Sequence, residues 1–294
     1  MDDTSPTRDT TTPRPPRGRL QRHRLPAALV AGALMTLALV LTAVLAPLLP
    51  LPDPDTGSLA QRLLPPGSAG HLLGTDGQGR DLLSRLVWGT QPSLVVGFLP
   101  VMVAGIIGTV LGIVAGLGGR GLENAVMRSL DVLFAFPAVL LAISIAASLG
   151  AGLTSLIIAL SVILVPAVAR VVVTEVARLR ELDFMQAAQA SGATWPTIAL
   201  RHVLPGIVPP VTVYCSALVG LSIVLGAGLS FLGLGVAPPR AEWGAMLDDV
   251  RQHIFVAPLL TLIPAVAIFL ASVAFNVLGE GLRRHFDVRS RYTV

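Results

Sequence analysis

The chain has 294 residues, 53% of them hydrophobic and 13% charged, with a mean hydropathy of +0.75. A soluble domain carries about 25% charged residues, so the composition excludes an ordinary soluble fold and indicates a membrane protein. All 21 basic residues are arginine; without lysine the chain cannot build a phosphate-binding loop of the G-x-x-x-x-G-K-[ST] type, and any ATP that drives it must be bound by another chain.

Residues 1–24 are rich in Thr, Pro, Arg and Asp and are expected to form a disordered basic tail. Anionic lipid suits such a tail. Nucleic acid is the poorer partner, because arginines immediately before a span are explained by topology.

Six apolar segments are read as spans: 27–49, 93–117, 131–149, 153–173, 207–229 and 257–278. About 20 apolar residues cross a hydrocarbon core. The first is too long for a signal-peptide core and its A-V-L-A site is followed by Pro47, so a retained helix is the better reading. Pro137, Pro166, Pro209 and Pro210 are expected to kink their spans rather than end them. The fold expected is all-α, with six transmembrane helices.

Arginine placement sets the orientation. The N-terminal tail has six, the loop after the second span two, the loop after the fourth four, and the C-terminal tail four. The other side has five, over two long loops that also carry seven acids. The richer side is expected to be cytoplasmic, with both termini and the loop 183–206 inside the cell.

The first outer segment, 50–92, contains HLLGTDGQGRDLLSRLVWG. Asp76 and Asp81 are candidate helix caps there; a surface turn with an interfacial helix competes with a substrate contact. The second, 231–256, reads as a folded loop with a short helix, with Trp243 as an interface anchor.

The span centres hold no Asp, Glu, Arg or His, which argues against a proton-coupled pump or a redox enzyme. Ser, Thr and Asn side chains within the spans are expected to bond across helices or to their own backbone. Gly105, Gly108 and Gly112 read as helix-packing surface first and a gate second. Cys215, the only cysteine, reads as a core filler. No metal site is expected: the five histidines are scattered, without ligand-like spacing.

The loop 183–206, DFMQAAQASGATWPTIALRHVLPG, is too well built for a connector. Asp183 is expected to cap a helix and Gln186 to complete a capping box. Ala187, Ala188, Ser191 and Gly192 form a small face that lets another body approach closely. Thr194 and Pro196 read as the start of a second helix, and Pro205-Gly206 as its end.

This loop resembles the cytoplasmic signature loop of binding-protein-dependent ABC importer permeases, Glu-Ala-Ala, three residues, Gly, then Ile and Leu-Pro. Ala187, Ala188, Gly192, Ile198, Leu204 and Pro205 fall on that pattern, and Gln186 stands where the family usually has Glu. HLLGTDGQGRDLLSR, LENAVMRSLDVLFAFPAVLLAI, FLGLGVAPPRAEWGAML and AFNVLGEGLRRHFDVR extend the likeness from about residue 70 to 289, to the C-type subunit of the dipeptide/oligopeptide/nickel branch.

The resemblance implies a type I importer permease fold and a bacterial inner-membrane location. It divides the chain into the tail 1–24, an N-terminal region 25–88, a transmembrane domain 89–280 and a cytoplasmic tail 281–294. It also implies a second permease as heterodimer partner, two cytoplasmic ATPases that bind ATP and Mg, and an extracytoplasmic solute-binding protein. This chain itself would be no enzyme and carry no cofactor. Coupling would fall to Asp183, Gln186, Ala187, Ala188, Gly192, Ile198, Leu204 and Pro205. Di- and oligopeptides or nickel chelates are the substrates implied. A stand-alone secondary transporter and a non-transporting membrane scaffold are the alternatives.

Overall fold

The computed structural model describes residues 26–290; the tail 1–24 and the last four residues lie outside the described residues. Ten helices follow: α1 Ala27–Leu45, α2 Leu82–Leu117, α3 Gly119–Phe134, α4 Ala138–Leu149, α5 Leu153–Arg180, α6 Asp183–Ala190, the single turn α7 Trp195–Thr197, α8 Leu204–Phe231, α9 Trp243–Arg251 and α10 Pro258–Ser290. Among the described residues, β pairing is confined to isolated bridges in the segment 57–81.

Five stretches are long and apolar enough to cross a membrane: α1 with the turn after it, α2, α5, the run from Trp195 to Phe231, and α10. The expected third span is not one helix. It is the pair α3 and α4, bent by 83°. Pro137 has no N–H to continue a helix and disfavours helical backbone at Phe136 before it. At 12 residues, α4 is about 18 Å long, short of the ~30 Å hydrocarbon thickness.

Close approaches at glycines fix the helix directions. A Cβ at Gly108, Gly112 or Gly116 would come within 2.8, 2.5 or 2.7 Å of the side chains of Val168, Val172 and Val176 respectively. The paired numbers rise together, so α2 and α5 run parallel. One glycine per turn lets the backbones meet, as small residues do between membrane helices. Gly105 is off this seam, with only the Cys215 sulfur near it at 3.5 Å. Gly97 and Gly226 bring α2 and α8 together antiparallel, and Gly220 and Gly279 do the same for α8 and α10. Gly32 meets Leu278 and Gly281 meets Leu29, so α1 is antiparallel to α10. The start of α1, the last turns of α10 and the segment between α5 and α8 therefore share one end of the bundle.

Several span hydroxyls and amides bond back to their own helix, as expected: Ser144 to Leu140 O at 2.8 Å, Ser161 to Ile157 O at 2.6 Å and Asn276 to Ser272 O at 2.9 Å. Ser222 instead donates across to Val96 O at 2.9 Å.

The opposite end is capped by the loops 50–81 and 232–257, built on buried charge. Asp81 caps α2, accepting from the Ser84 N–H at 2.7 Å, and accepts from His71 Nδ1 at 2.8 Å. Asp76 caps no helix. It accepts from the backbone N–H groups of Gln78 and Arg80 at 2.8 and 3.0 Å and from Arg80 Nε at 2.6 Å, with Arg85 Nε at 3.5 Å. Asp249, from α9, accepts from Arg80 Nη2 at 2.6 Å and Arg85 Nη2 at 3.2 Å. Asp76, Arg80 and Arg85 are all buried.

Trp243 is a core residue, not an interface anchor. It is 2% exposed, and its indole N–H donates to Leu86 O at 3.0 Å. Glu242 caps α9 by accepting from Gly244 and Ala245 N–H and takes a bond from Ser93 Oγ. An indole with its N–H satisfied is at home in the interior.

Candidate functional site

α6 leaves the end of α5 after a two-residue break, Glu181-Leu182. Its N-cap is Leu182, which lends no side-chain bond, so the expected capping box is absent. Asp183 lies one position inside the helix, and the Asp–Gln spacing falls one residue out of register for a box. An acid in the first turn still favours the positive end of the helix dipole. The helix is held by Met185, fully buried. Asp183, Phe184, Gln186 and Ala187 are exposed, and Ala188 is half-buried.

The end of α6 is a Schellman motif. Gly192 N–H donates to Gln189 O at 3.0 Å and Ala193 N–H to Ala188 O at 3.1 Å, the paired bonds that close a helix through a left-handed residue. Gly192 has φ +78° and nothing within 4 Å of where a Cβ would stand. Its role is thus double: backbone chirality within the chain and open space outside it.

Thr194 is the N-cap of α7 without a side-chain cap bond; its hydroxyl meets that of Thr197 at 3.0 Å. From α7 the chain passes through one π-helical segment, Ile198–Val203, directly into α8. Pro205-Gly206 therefore does not end a helix. Leu204 N–H donates to Ala199 O, five residues back. Pro205 lacks the N–H that would reach the Arg201 carbonyl and its ring would crowd that oxygen in an α turn, so a wider turn suits this stretch.

Ile198, Ala199, Val203 and Ile207 are buried with Met185 and Leu179 in the main core. A Cβ at Gly206 would stand 2.8 Å from a Leu179 methyl, so the start of α8 rests against the end of α5. Arg180 Nη1 donates to Gly116 O at 2.8 Å, tying the same end of α5 to α2.

The predicted residues thus divide. Asp183, Gln186, Ala187, Gly192 and Pro205 are exposed, Ala188 and Leu204 half-buried, and Ile198 buried. Phe184, Trp195 and Leu200, each exposed, add an apolar surface that the sequence reading had not singled out. Their signal was present, since a large apolar residue on a short polar helix has few places to hide. The arrangement presents a small, partly apolar face on a short helix, with rigid attachment to α5 behind it and to α8 beyond it.

A second feature escaped sequence reasoning. Arg170, inside α5, donates to Asp131 of α3 at 2.7 Å and lies 4.5 Å over the Phe134 ring, beside the bend between α3 and α4. Both charged groups are about half exposed. Among the described residues, no three His, Cys, Asp or Glu side chains converge as metal ligands would.

Residues 108–292 match the family model described as "Binding-protein-dependent transport system inner membrane component". The chain is 42% identical to a glutathione transport system permease protein of Pectobacterium atrosepticum, covering 88% of this chain and 86% of that one. It is 40% identical to a putative peptide transport system permease protein of Brucella abortus, over 92% and 90%. It is also 40% identical to a dipeptide transport system permease protein of Alkalihalophilus pseudofirmus, over 89% and 86%. Among solved structures, a chain of the MetNI methionine ABC transporter in inward-facing conformations superposes with a TM-score of 0.53. It is 18% identical, with 67% of this chain and 96% of that one covered, a likeness of fold.

Proposed function

Because the chain belongs to the family of binding-protein-dependent transport system inner membrane components, we propose that it forms half of the membrane pathway of an ATP-driven importer and receives the ATPase stroke through residues 183–206. The observation that carries this is the construction of that segment. Asp183, Gln186, Ala187, Ala188 and Gly192 offer a small face for a groove on another chain. Ile198, Leu204 and Pro205 form the return path into α8. A push on α6 has two outlets, through the two-residue link Glu181-Leu182 into α5 and through the π-helical segment into α8, and the Leu179–Gly206 contact ties those two helices together.

In this reading ATP and Mg belong to two ATPase subunits outside this chain; the lack of lysine, and so of a G-x-x-x-x-G-K-[ST] loop, supports it. The arginine distribution supports a cytoplasmic position for both termini and for α6. The loop-capped end then faces outward, where a solute-binding protein delivers its ligand. A second permease of the same kind completes the pathway, with 25–88 as an N-terminal region and 89–280 as the transmembrane domain. Short peptides, glutathione among them, are the proposed substrates; the named relatives support this.

The test is reconstitution with the partner permease, both ATPases and the binding protein in proteoliposomes. Uptake of labelled alanyl-alanine or glutathione is expected to require ATP on the ATPase side. Uptake by this chain alone on an ion gradient would mean a secondary transporter.

A further inference from the structure

The loop-capped end holds a cavity of about 750 Å³ between the segment 51–55 and the loop 236–241. Its floor is the α2 face bearing Trp88, Gln91 and Val95. The two lips are not loosely apposed. Arg85, 1% exposed, donates through Nη1 to the carbonyl oxygens of Pro54 on one lip and Pro239 on the other, each at 3.0 Å. The Ser84 hydroxyl donates to Pro52 O. Buried side chains of α2 therefore set the spacing of the walls, and Asp76 and Asp249 hold the guanidinium in turn.

The walls carry both signs of charge. Asp53 and Asp55 stand on one lip, linked by the Asp55 N–H to Asp53 Oδ1 bond at 2.8 Å. Asp55 turns its buried Oδ1 toward Arg85 Nη1 at 4.0 Å, an ion pair without a hydrogen bond, and its side chain is 36% exposed. Arg240 is exposed on the other lip, and the ion pairs of this end use Arg80, Arg85 and Arg251 instead. Small-ligand sites are commonly about 300–1,000 Å³, so the space suits a ligand of two or three residues.

We propose that this cavity is a reception site on the permease for a short zwitterionic peptide. The ammonium group is received by Asp53 and Asp55, the carboxylate by Arg240, and the chain lies against Trp88 with the Gln91 amide available to its peptide bond. The inference rests on the orientation proposed above, which puts this end outside the cell. It adds to that reading a contact of the permease itself with the peptide, before the pathway is entered.

Trp88 is a built-in reporter. The chain has three tryptophans, and a Trp195→Phe background leaves Trp88 and the buried Trp243. In the full-length chain in lipid nanodiscs, L-alanyl-L-alanine is expected to change the fluorescence saturably, with a Kd on the order of 1 mM or below. N-acetylated and C-amidated peptides should bind at least about tenfold more weakly, a loss of ~1.4 kcal/mol. Asp55→Asn and Arg240→Gln should each weaken binding similarly; Arg240, being exposed, tests the site even if Asp55→Asn lowers the melting temperature. Equal binding of blocked peptides overturns the proposal. So does a response to ligand-free binding protein that peptide does not reproduce. A silent Trp88 up to about 10 mM peptide, with ATP-driven uptake intact in the full assembly, removes the cavity site and leaves the importer reading standing. Failure of that uptake removes the importer reading.

Discussion

Gly192→Arg is expected to reduce ATP-driven uptake by at least about tenfold while the chain still inserts and folds. Two costs combine. An L side chain in the left-handed region costs ~1–2 kcal/mol, and such a penalty is a factor of roughly 5–30 in an equilibrium. It falls on the Schellman closure that shapes the end of α6. The second cost is steric. Among the described residues nothing stands within 4 Å of a Cβ at Gly192, and a guanidinium on a long stem would occupy the space the proposed partner groove needs. A series separates the two. Gly192→Asn, which tolerates positive φ, should keep most of the uptake. Gly192→Ala, with strain and little bulk, should fall between. Uptake, ATPase rate and melting temperature measured on the same preparations check the order; full uptake by the arginine variant would count against docking at this face.

Asp76→Ala is expected to be the most destabilising single change at the loop-capped end. It removes the carboxylate that accepts two backbone N–H groups and the Arg80 side chain, with Arg85 close by. Two buried guanidinium groups are then left to Asp249 and to carbonyl oxygens. Breaking a buried ion pair from one side costs about 3–5 kcal/mol, because the remaining charge stays buried. For a chain of this size, that is a fall in melting temperature on the order of 10 °C. Asp76→Asn should fall less, since its carbonyl still accepts from the backbone. Thermal unfolding of the purified full-length variants decides it; an unchanged melting temperature for Asp76→Ala would mean that the network does not hold the cap. The same variant should also loosen Arg85 and with it the lips of the cavity.

Much of the fold was legible because hydropathy is a local signal. Four of the six expected spans appear as long helices with shifted ends, and α1 ends in a short turn near its predicted limit. The third failed at Pro137, where a length count cannot tell a kink from an 83° bend. The segment 183–206 was legible in its glycine and proline signals. Its details were not. Asp183 entered the helix instead of capping it, and the chain runs through a π-helical segment into α8 past Pro205 instead of stopping there. Both depend on how α6 and α8 seat against α5, through Met185 and Gly206. The buried charge at the loop-capped end was invisible for another reason. Arg80 and Arg85 meet Asp249 across more than 160 residues of sequence, and no local pattern announces such a partner. Trp243 was misread on the same account, because its acceptor Leu86 lies 157 positions away.

The most direct test of the account uses the chain's single native cysteine to advantage. In a Cys215→Ala background, Ala187→Cys places one thiol on the exposed face of α6. With the partner permease and ATPases reconstituted, a short thiol–amine reagent should join this chain to an ATPase subunit, with a yield that changes on adding ATP. A membrane-impermeant thiol reagent applied outside intact cells should leave the introduced thiol unlabelled. Labelling from outside, or no cross-link in an assembly that still transports, would contradict the claim that residues 183–206 carry the ATPase stroke into the membrane.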